Sequence, residues 1–351
     1  MSGALPRLGV RETAPYVSPQ LDVPVRLNTN ECPYPLPESF SRELAAAVRD
    51  LPLHRYPDGA MRGLRGEIAT LHAHPLDGTW AATGSNEILI ELLLAYGGPG
   101  RSAMTFEPTY LLHSRLAWIT HTEVVRGSLG TGFTLGDEQV DAAAAAQPDI
   151  VFVCSPNNPT GNAQSVEAVR RLAGALPATL VVVDEAYIEF GGETALPLVA
   201  GHPNVAVVRT FSKAFALAGA RIGYLLADPA VVRDVEVVRL PYHMSSLTQA
   251  AGTTALRHRD DALRLLAAIR DQRDRIVAEL GNVSGMTVYP SDANFVLFVP
   301  PGDAAVVWQG LLDRGVLVRD LTAVVPNALR VTAGTEGETD AFLQAMKEVL
   351  G

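Results

Sequence analysis

At 351 residues, 48% of them apolar and 19% charged, the chain can bury one large core or two, which excludes a disordered polypeptide. Acidic residues outnumber Lys and Arg by 38 to 28, and the net charge of −10 argues against a nucleic-acid or anionic-membrane partner. Two cysteines, Cys32 and Cys154, are too few for a disulfide framework and suit a reducing cytoplasm.

In chain order, residues 1–27 read as an N-terminal arm that packs with a small domain. The segment MSGALPRLGVRETAPYVSP is broken by prolines and lacks the apolar core of a signal peptide, and no later run reaches the length of a membrane span. CPYPLP, at 32–37, is a proline-stiffened turn, and ESFSRELAAAVRDL and LRGEIATLHAH have helical spacing. DAAAAAQ at 141–147 reads as a helix. From 150 onward the pattern changes. DIVFVC (149–154), TLVVVD (179–184) and NVAVVRT (204–210) are near-continuous apolar runs, as expected of parallel strands buried on both faces. SVEAVRRLAGAL (165–176) supplies a crossover helix between the first two. The expectation is an α/β fold with a large, mostly parallel sheet domain over 28–260 and ligands beyond the carboxyl ends of its strands. DALRLLAAIRDQRDRIVAEL (261–280) is a long helix opening a small α+β domain over 261–351, where MTVYP, NFVLFVP, VLVRD and ALRVTAG are short strands between helices.

Three of the large-domain strands end in polar residues. SPNNPTGN follows Cys154, Asp184 is followed by Glu185 and Tyr187, and Thr210, Ser212 and Lys213 follow VAVVR. Singly, each has an ordinary explanation as a turn, a cap or a solvated charge. Jointly they converge, because neighbouring parallel strands deliver their carboxyl ends to one crevice. Lys213 is not a phosphate-loop lysine, since no glycine lies within the six residues before it. An amine set among Ala214, Phe215, Ala216, Leu217 and Ala218 loses its proton more readily than a solvated one, which covalent chemistry requires. Amine and carboxylate at separate strand ends suit a cationic ring that is tethered at one point and held electrostatically at another.

These residues resemble those of fold-type I pyridoxal-phosphate (PLP) enzymes and, more narrowly, the histidinol-phosphate aminotransferase family. The similarity runs collinearly from about residue 27 to the C-terminus through LNTNECPYPLP, RYPDG, GSNEILIELLLAYGGPG, FEPTYLLH, SPNNPTGN, VVVDEAYIEF, RTFSKAFALAGARIGY, SDANFVLF, GVLVRDL and LRVTAGT. The resemblance implies a large mostly parallel sheet domain with a small α+β domain, PLP as cofactor and no metal. It implies transfer of the amino group of histidinol phosphate to 2-oxoglutarate in histidine biosynthesis. Lys213 would bond the cofactor aldehyde and carry the proton between Cα and C4′, while Asp184 would pair with the ring nitrogen. Asn158 and Tyr187 would reach the ring hydroxyl, and Tyr110 would stack on the ring face. Ser85 and Asn86, at a helix start, would hold the phosphate with Thr210, Ser212 and Arg221. Tyr56 would reach the phosphate of the other subunit of a homodimer. Arg330, with Arg319 and Asn30, would lie on the substrate side, where a guanidinium matches a carboxylate or a phosphate bidentately.

The chain departs from that family at Cys32, which replaces the asparagine of NENP, at Asn86, where aspartate is commoner, at Ala216 and Ala220, and in GTEGETD. None of these removes a group the cofactor requires. Two of them border the substrate, so an aromatic amino-acid aminotransferase and a threonine-phosphate decarboxylase stand as alternatives on the same scaffold.

Overall fold

The computed structural model describes residues 4, 6–7, 9–15 and 19–351. Residues 1–3, 5, 8 and 16–18 of the expected arm therefore lie outside the described residues. The described arm divides. Its last part forms β1 (Val25–Arg26), which pairs in parallel with β11 (Val316–Leu317) of the C-terminal region. Its earlier part lies on the helix Leu112–Ile119 instead, with the Arg7 guanidinium 4.4 Å from the Trp118 ring centre and Arg115 Nη1 donating to the Ala14 carbonyl at 2.8 Å. Cation–aromatic attraction holds that part away from the C-terminal sheet.

A seven-stranded sheet organises the first two-thirds of the chain. Its strands are β2 (Thr79–Ala82), β3 (Ser102–Glu107), β4 (Glu123–Ser128), β5 (Ile150–Cys154), β6 (Leu180–Asp184), β7 (Val205–Thr210) and β8 (Gly223–Ala227), in the order β2-β8-β7-β6-β5-β3-β4. Only β8 runs against its neighbours. Every residue of β5, β6 and β7 is buried, because helices cover both faces and leave no solvent side for polar alternation. The three strands expected from 149 onward are present within a residue of their predicted starts. The sheet begins much earlier than the sequence suggested, however. β2 is a short TWAA, β3 interleaves Thr and Ser with apolar residues, and β4 is a half-exposed edge strand, so none of them reads as a continuous apolar run.

The C-terminal region builds a second, four-stranded antiparallel sheet, β12-β13-β10-β9, from β9 (Thr287–Val288), β10 (Phe295–Val299), β12 (Arg319–Asp320) and β13 (Leu329–Thr332). Its core gathers Val296, Phe298, Leu311, Val331 and Phe342. The helix Arg259–Gly281 serves both cores: Ala262, Leu266 and Ile269 join the large one, while Ile276 and Leu280 join the small one. Among the described residues, no helix is long and apolar enough to cross a membrane.

Candidate active site

The carboxyl ends of β5, β6 and β7 open on a cavity of about 410 Å³. Every site residue anticipated from the sequence lines it except Tyr56: Ser85, Asn86, Tyr110, Asn158, Asp184, Tyr187, Thr210, Ser212, Lys213 and Arg221, together with Asn30, Arg319 and Arg330 from the substrate side. Tyr56 lies outside, 79% exposed, and stacks on Tyr242 at 4.5 Å between ring centres.

Asp184 ends β6 and is almost wholly buried. Its Oδ1 accepts the Ala186 N–H at 3.2 Å, and its Oδ2 accepts from His113 Nε2 at 3.0 Å. His113 is fully buried and lies flat on Phe152, 4.8 Å between ring centres, so its ring cannot swing away. A carboxylate held by two donors and set below the cavity is suited to a cationic ring nitrogen. Glu185, the next residue, belongs to a different network. It pairs with Arg209 of β7 at 2.8 Å and accepts the Thr194 hydroxyl and Ala195 N–H, tying the ends of β6 and β7 together.

Lys213 sits in the loop after β7, and its Nζ donates to the Thr29 carbonyl at 3.0 Å. Its pKa is lowered from 10.5 to about 8, chiefly by burial and then by the Arg330 guanidinium, with Arg221 adding to the effect and Glu31 opposing it. The amine is therefore part neutral near neutral pH, as a nucleophile requires.

One end of the cavity is an anion cradle built largely from backbone. The helix Ser85–Tyr96 begins after Gly84, whose φ is +87°, with no side-chain cap among the described residues, and its first two residues, Ser85 and Asn86, line the cavity. A Cβ at Gly223 would lie 2.2 Å from the Ser85 nitrogen, and one at Gly84 would lie 2.6 Å from Arg221 Nη2. Glycine at both positions lets β8, the helix start and the guanidinium close on one point. Arg221 Nη1 donates to Ser212 Oγ at 3.2 Å, and Thr210 Oγ1 lies 2.9 Å from that same oxygen. Helix dipole, guanidinium and hydroxyls together fit a phosphate.

The substrate end carries Arg330. Its Nη1 donates to Asn158 Oδ1 at 2.6 Å, its Nη2 donates to the Asn28 carbonyl at 3.0 Å, and its guanidinium carbon lies 5.0 Å from the Phe295 ring centre. Arg319 is its direct cross-strand partner on β12, which puts both side chains on one face of the small sheet. Asn30 Nδ2 donates to the Tyr187 hydroxyl at 3.0 Å, and Asn158 Nδ2 donates to it at 3.4 Å. Burial pushes the Tyr187 phenol up to about 12, so it stays protonated. Asn157 keeps to the turn, accepting from Thr109 and donating to Pro108 and Thr160.

Sequence reasoning missed His113, although FEPTYLLH places it three residues after Tyr110, one helical turn on. It also missed the carbonyls of Asn28 and Thr29, which carry no side-chain signal.

Parallel strands that end on a buried amine and a fixed carboxylate, beside an uncapped helix start, form the framework of fold-type I PLP-dependent transferases, and this chain has that fold. The family follows from its sequence. The model for aminotransferase class I and II matches residues 23–346, and the chain belongs to that family. It is 50% identical to the histidinol-phosphate aminotransferase of Frankia casuarinae, over 98% of this chain and 90% of that protein. It is likewise 50% identical to the enzyme of that name from Streptomyces avermitilis, over 97% and 95%. Among solved structures, histidinol-phosphate aminotransferase from Sinorhizobium meliloti in complex with pyridoxal-5'-phosphate superposes with a TM-score of 0.88 at 25% identity, covering 99% of this chain and 98% of that one.

Proposed function

We propose that this chain is a PLP-dependent transaminase that moves the amino group of histidinol phosphate to 2-oxoglutarate. One observation carries the reading: Lys213, Asp184 and Arg330 line a single cavity, so an amine, a partner for a ring nitrogen and an anion receptor stand together. Kinship with two enzymes of that activity at 50% identity supports the choice of substrate.

When bound, the cofactor supplies an electron sink for the bonds at the substrate Cα. In this reading the helix start at Ser85 and Asn86, with Thr210, Ser212 and Arg221, would hold its phosphate. Asp184 would hold the ring nitrogen, Asn158 and Tyr187 would hold the ring hydroxyl, and Tyr110 would cover the ring. Lys213 would tether the aldehyde and, once displaced, its neutral amine would carry the proton from the substrate Cα to C4′, a task suited to its lowered pKa. Arg330 would receive the anionic end of each substrate in turn, the phosphate of histidinol phosphate or a carboxylate of glutamate, with Arg319 and Asn30 beside it.

The same reading makes 28–260 the cofactor domain and 261–351 the small domain, with the helix Arg259–Gly281 spanning the join. It also makes the enzyme a cytoplasmic homodimer in which Tyr56 serves the partner's phosphate. That placement is supported by Tyr56 being exposed and stacked on Tyr242, itself exposed, and by both cysteines being free.

A half-reaction panel tests the reading. Histidinol phosphate should bleach the near-visible band of the loaded enzyme, and 2-oxoglutarate should restore it. Faster bleaching by phenylalanine or tyrosine would make it an aromatic aminotransferase, and carbon dioxide release from threonine phosphate would make it a decarboxylase.

A further inference from the structure

We propose that a second hollow, between the helix Leu112–Ile119, β4 and β12, is a vestibule that collects small dianions, phosphate monoesters or dicarboxylates, ahead of the main cavity. The identity of the anions rests on the function proposed above; the hollow itself does not.

The hollow has a volume of about 700 Å³ and is lined by Arg115, Arg126 and Arg319, with Trp118, Ser114 and Thr122 among the remainder. None of the described residues lining it is acidic. That composition runs against the rest of the chain, in which acids exceed bases by ten. The hollow adjoins the active site, since Leu111 and Arg319 line both spaces. Arg319 in turn faces Arg330 across the β12–β13 pair, so arginines lead from the edge of the large sheet to the substrate end.

The backbone sets Arg126 into this space. Among the described residues β4 is the last strand of its sheet and pairs with β3 alone. Strand alternation puts Val124 and Arg126 on one face and Glu123 on the other, so the nearest acid of the same strand points away. Both Val124 and Arg126 line the hollow. Arg126 is exposed and makes no ion pair among the described residues, so no carboxylate neutralises it. Arg115 is anchored by its bond to the Ala14 carbonyl, and its guanidinium carbon lies 5.5 Å from the Trp118 ring centre.

Three guanidinium groups on low-dielectric walls raise the local concentration of anions and the rate at which they arrive, by about tenfold or more, and salt weakens the effect over a screening length of about 8–10 Å. No histidine, cysteine or lysine is among the described residues lining the hollow, so it offers anions charge and no nucleophile of those kinds.

Of the three tryptophans, only Trp118 lines the hollow, and it reports on it directly. Iodide, an anionic quencher, should quench Trp118 fluorescence about threefold less in Arg126→Glu than in the parent, with Arg126→Gln between them. The neutral quencher acrylamide should act equally on all three, and Trp118→Phe fixes the Trp118 share of the signal. Equal iodide quenching in the parent and Arg126→Glu would overturn the vestibule, whatever the enzyme's substrate. In kinetics at low salt, Arg126→Glu should lower kcat/KM for histidinol phosphate and for 2-oxoglutarate by about fivefold, leave kcat unchanged and flatten the salt dependence. A loss for one anion alone supports the vestibule for that anion; a loss for neither refutes it. A parent enzyme inert to histidinol phosphate would refute the proposed function, and the quenching would still decide the hollow.

Discussion

His113 donates from Nε2 to Oδ2 of Asp184 across 3.0 Å, and both side chains are shut away from solvent. The histidine does not line the cavity, and it reaches it through the carboxylate and through an edge contact with Tyr110, 5.4 Å between ring centres. His113→Phe should keep the stacking on Phe152 and lose the donor, which leaves a buried carboxylate oxygen unpaired at a cost of about 1–3 kcal/mol. Affinity for PLP should fall about tenfold, with the absorbance of the bound cofactor becoming pH-dependent in a range where the parent's is flat. Unchanged affinity and a flat spectrum in His113→Phe would remove His113 from the site.

For Lys213, the sign of the pH effect follows from its pKa of about 8 against 10.5. Only the neutral amine captures an aldehyde, so PLP uptake by the apo chain should speed up as pH rises and level off above about 8. Between those two values the folded chain holds fewer protons than the unfolded one, so this group makes apo stability rise with pH there. Stopped-flow uptake still climbing at pH 10 would mean an unperturbed lysine. Lys213→Ala should lose borohydride-stable attachment and about 10³-fold or more of the activity.

The backbone cradle makes a glycine prediction. Gly223→Ala forces a Cβ to within 2.2 Å of the Ser85 nitrogen, where only main chain can give way. It should cost about 1–3 kcal/mol in a denaturant melt and weaken PLP binding with it. Gly66→Ala is the matched control: it lies in the helix Arg62–His72 with nothing within 4 Å of the new methyl, and should be neutral or slightly stabilising. Equal melts for the two variants would refute the close approach.

Arg330 is already engaged by Asn158 and the Asn28 carbonyl, which fixes the plane of its guanidinium before any anion arrives. Arg330→Ala should raise KM for both substrates by about 30-fold or more. Arg330→Lys should recover little, because one ammonium cannot hold both partners and still offer a fork. Full rescue by lysine, read in the KM for either substrate, would mean that charge alone suffices.

Much of this architecture was legible in the sequence where the physics leaves a local mark. Strands buried on both faces become apolar runs, so β5, β6 and β7 could be read, and with them the residues at their ends. Edge and short strands leave no such mark, so β2 and β4 were invisible, and the vestibule beside β4 was invisible with them. Lys213 and Arg221 were readable because their small-residue surroundings are local. The Thr29 carbonyl on the lysine and the ring of His113 beneath Asp184 are contacts between distant segments, which spacing along the chain does not encode.

The helix Arg259–Gly281 lends one end to each hydrophobic core. A chain cut at residue 260 would leave the cofactor-binding fragment with an open slot where Ala262, Leu266 and Ile269 had packed. The remaining fragment would carry those same side chains bare into water. Neither piece is a finished folding unit, so the two halves should melt together as one cooperative transition, and a protease should find no productive cut at their join until the whole molecule gives way.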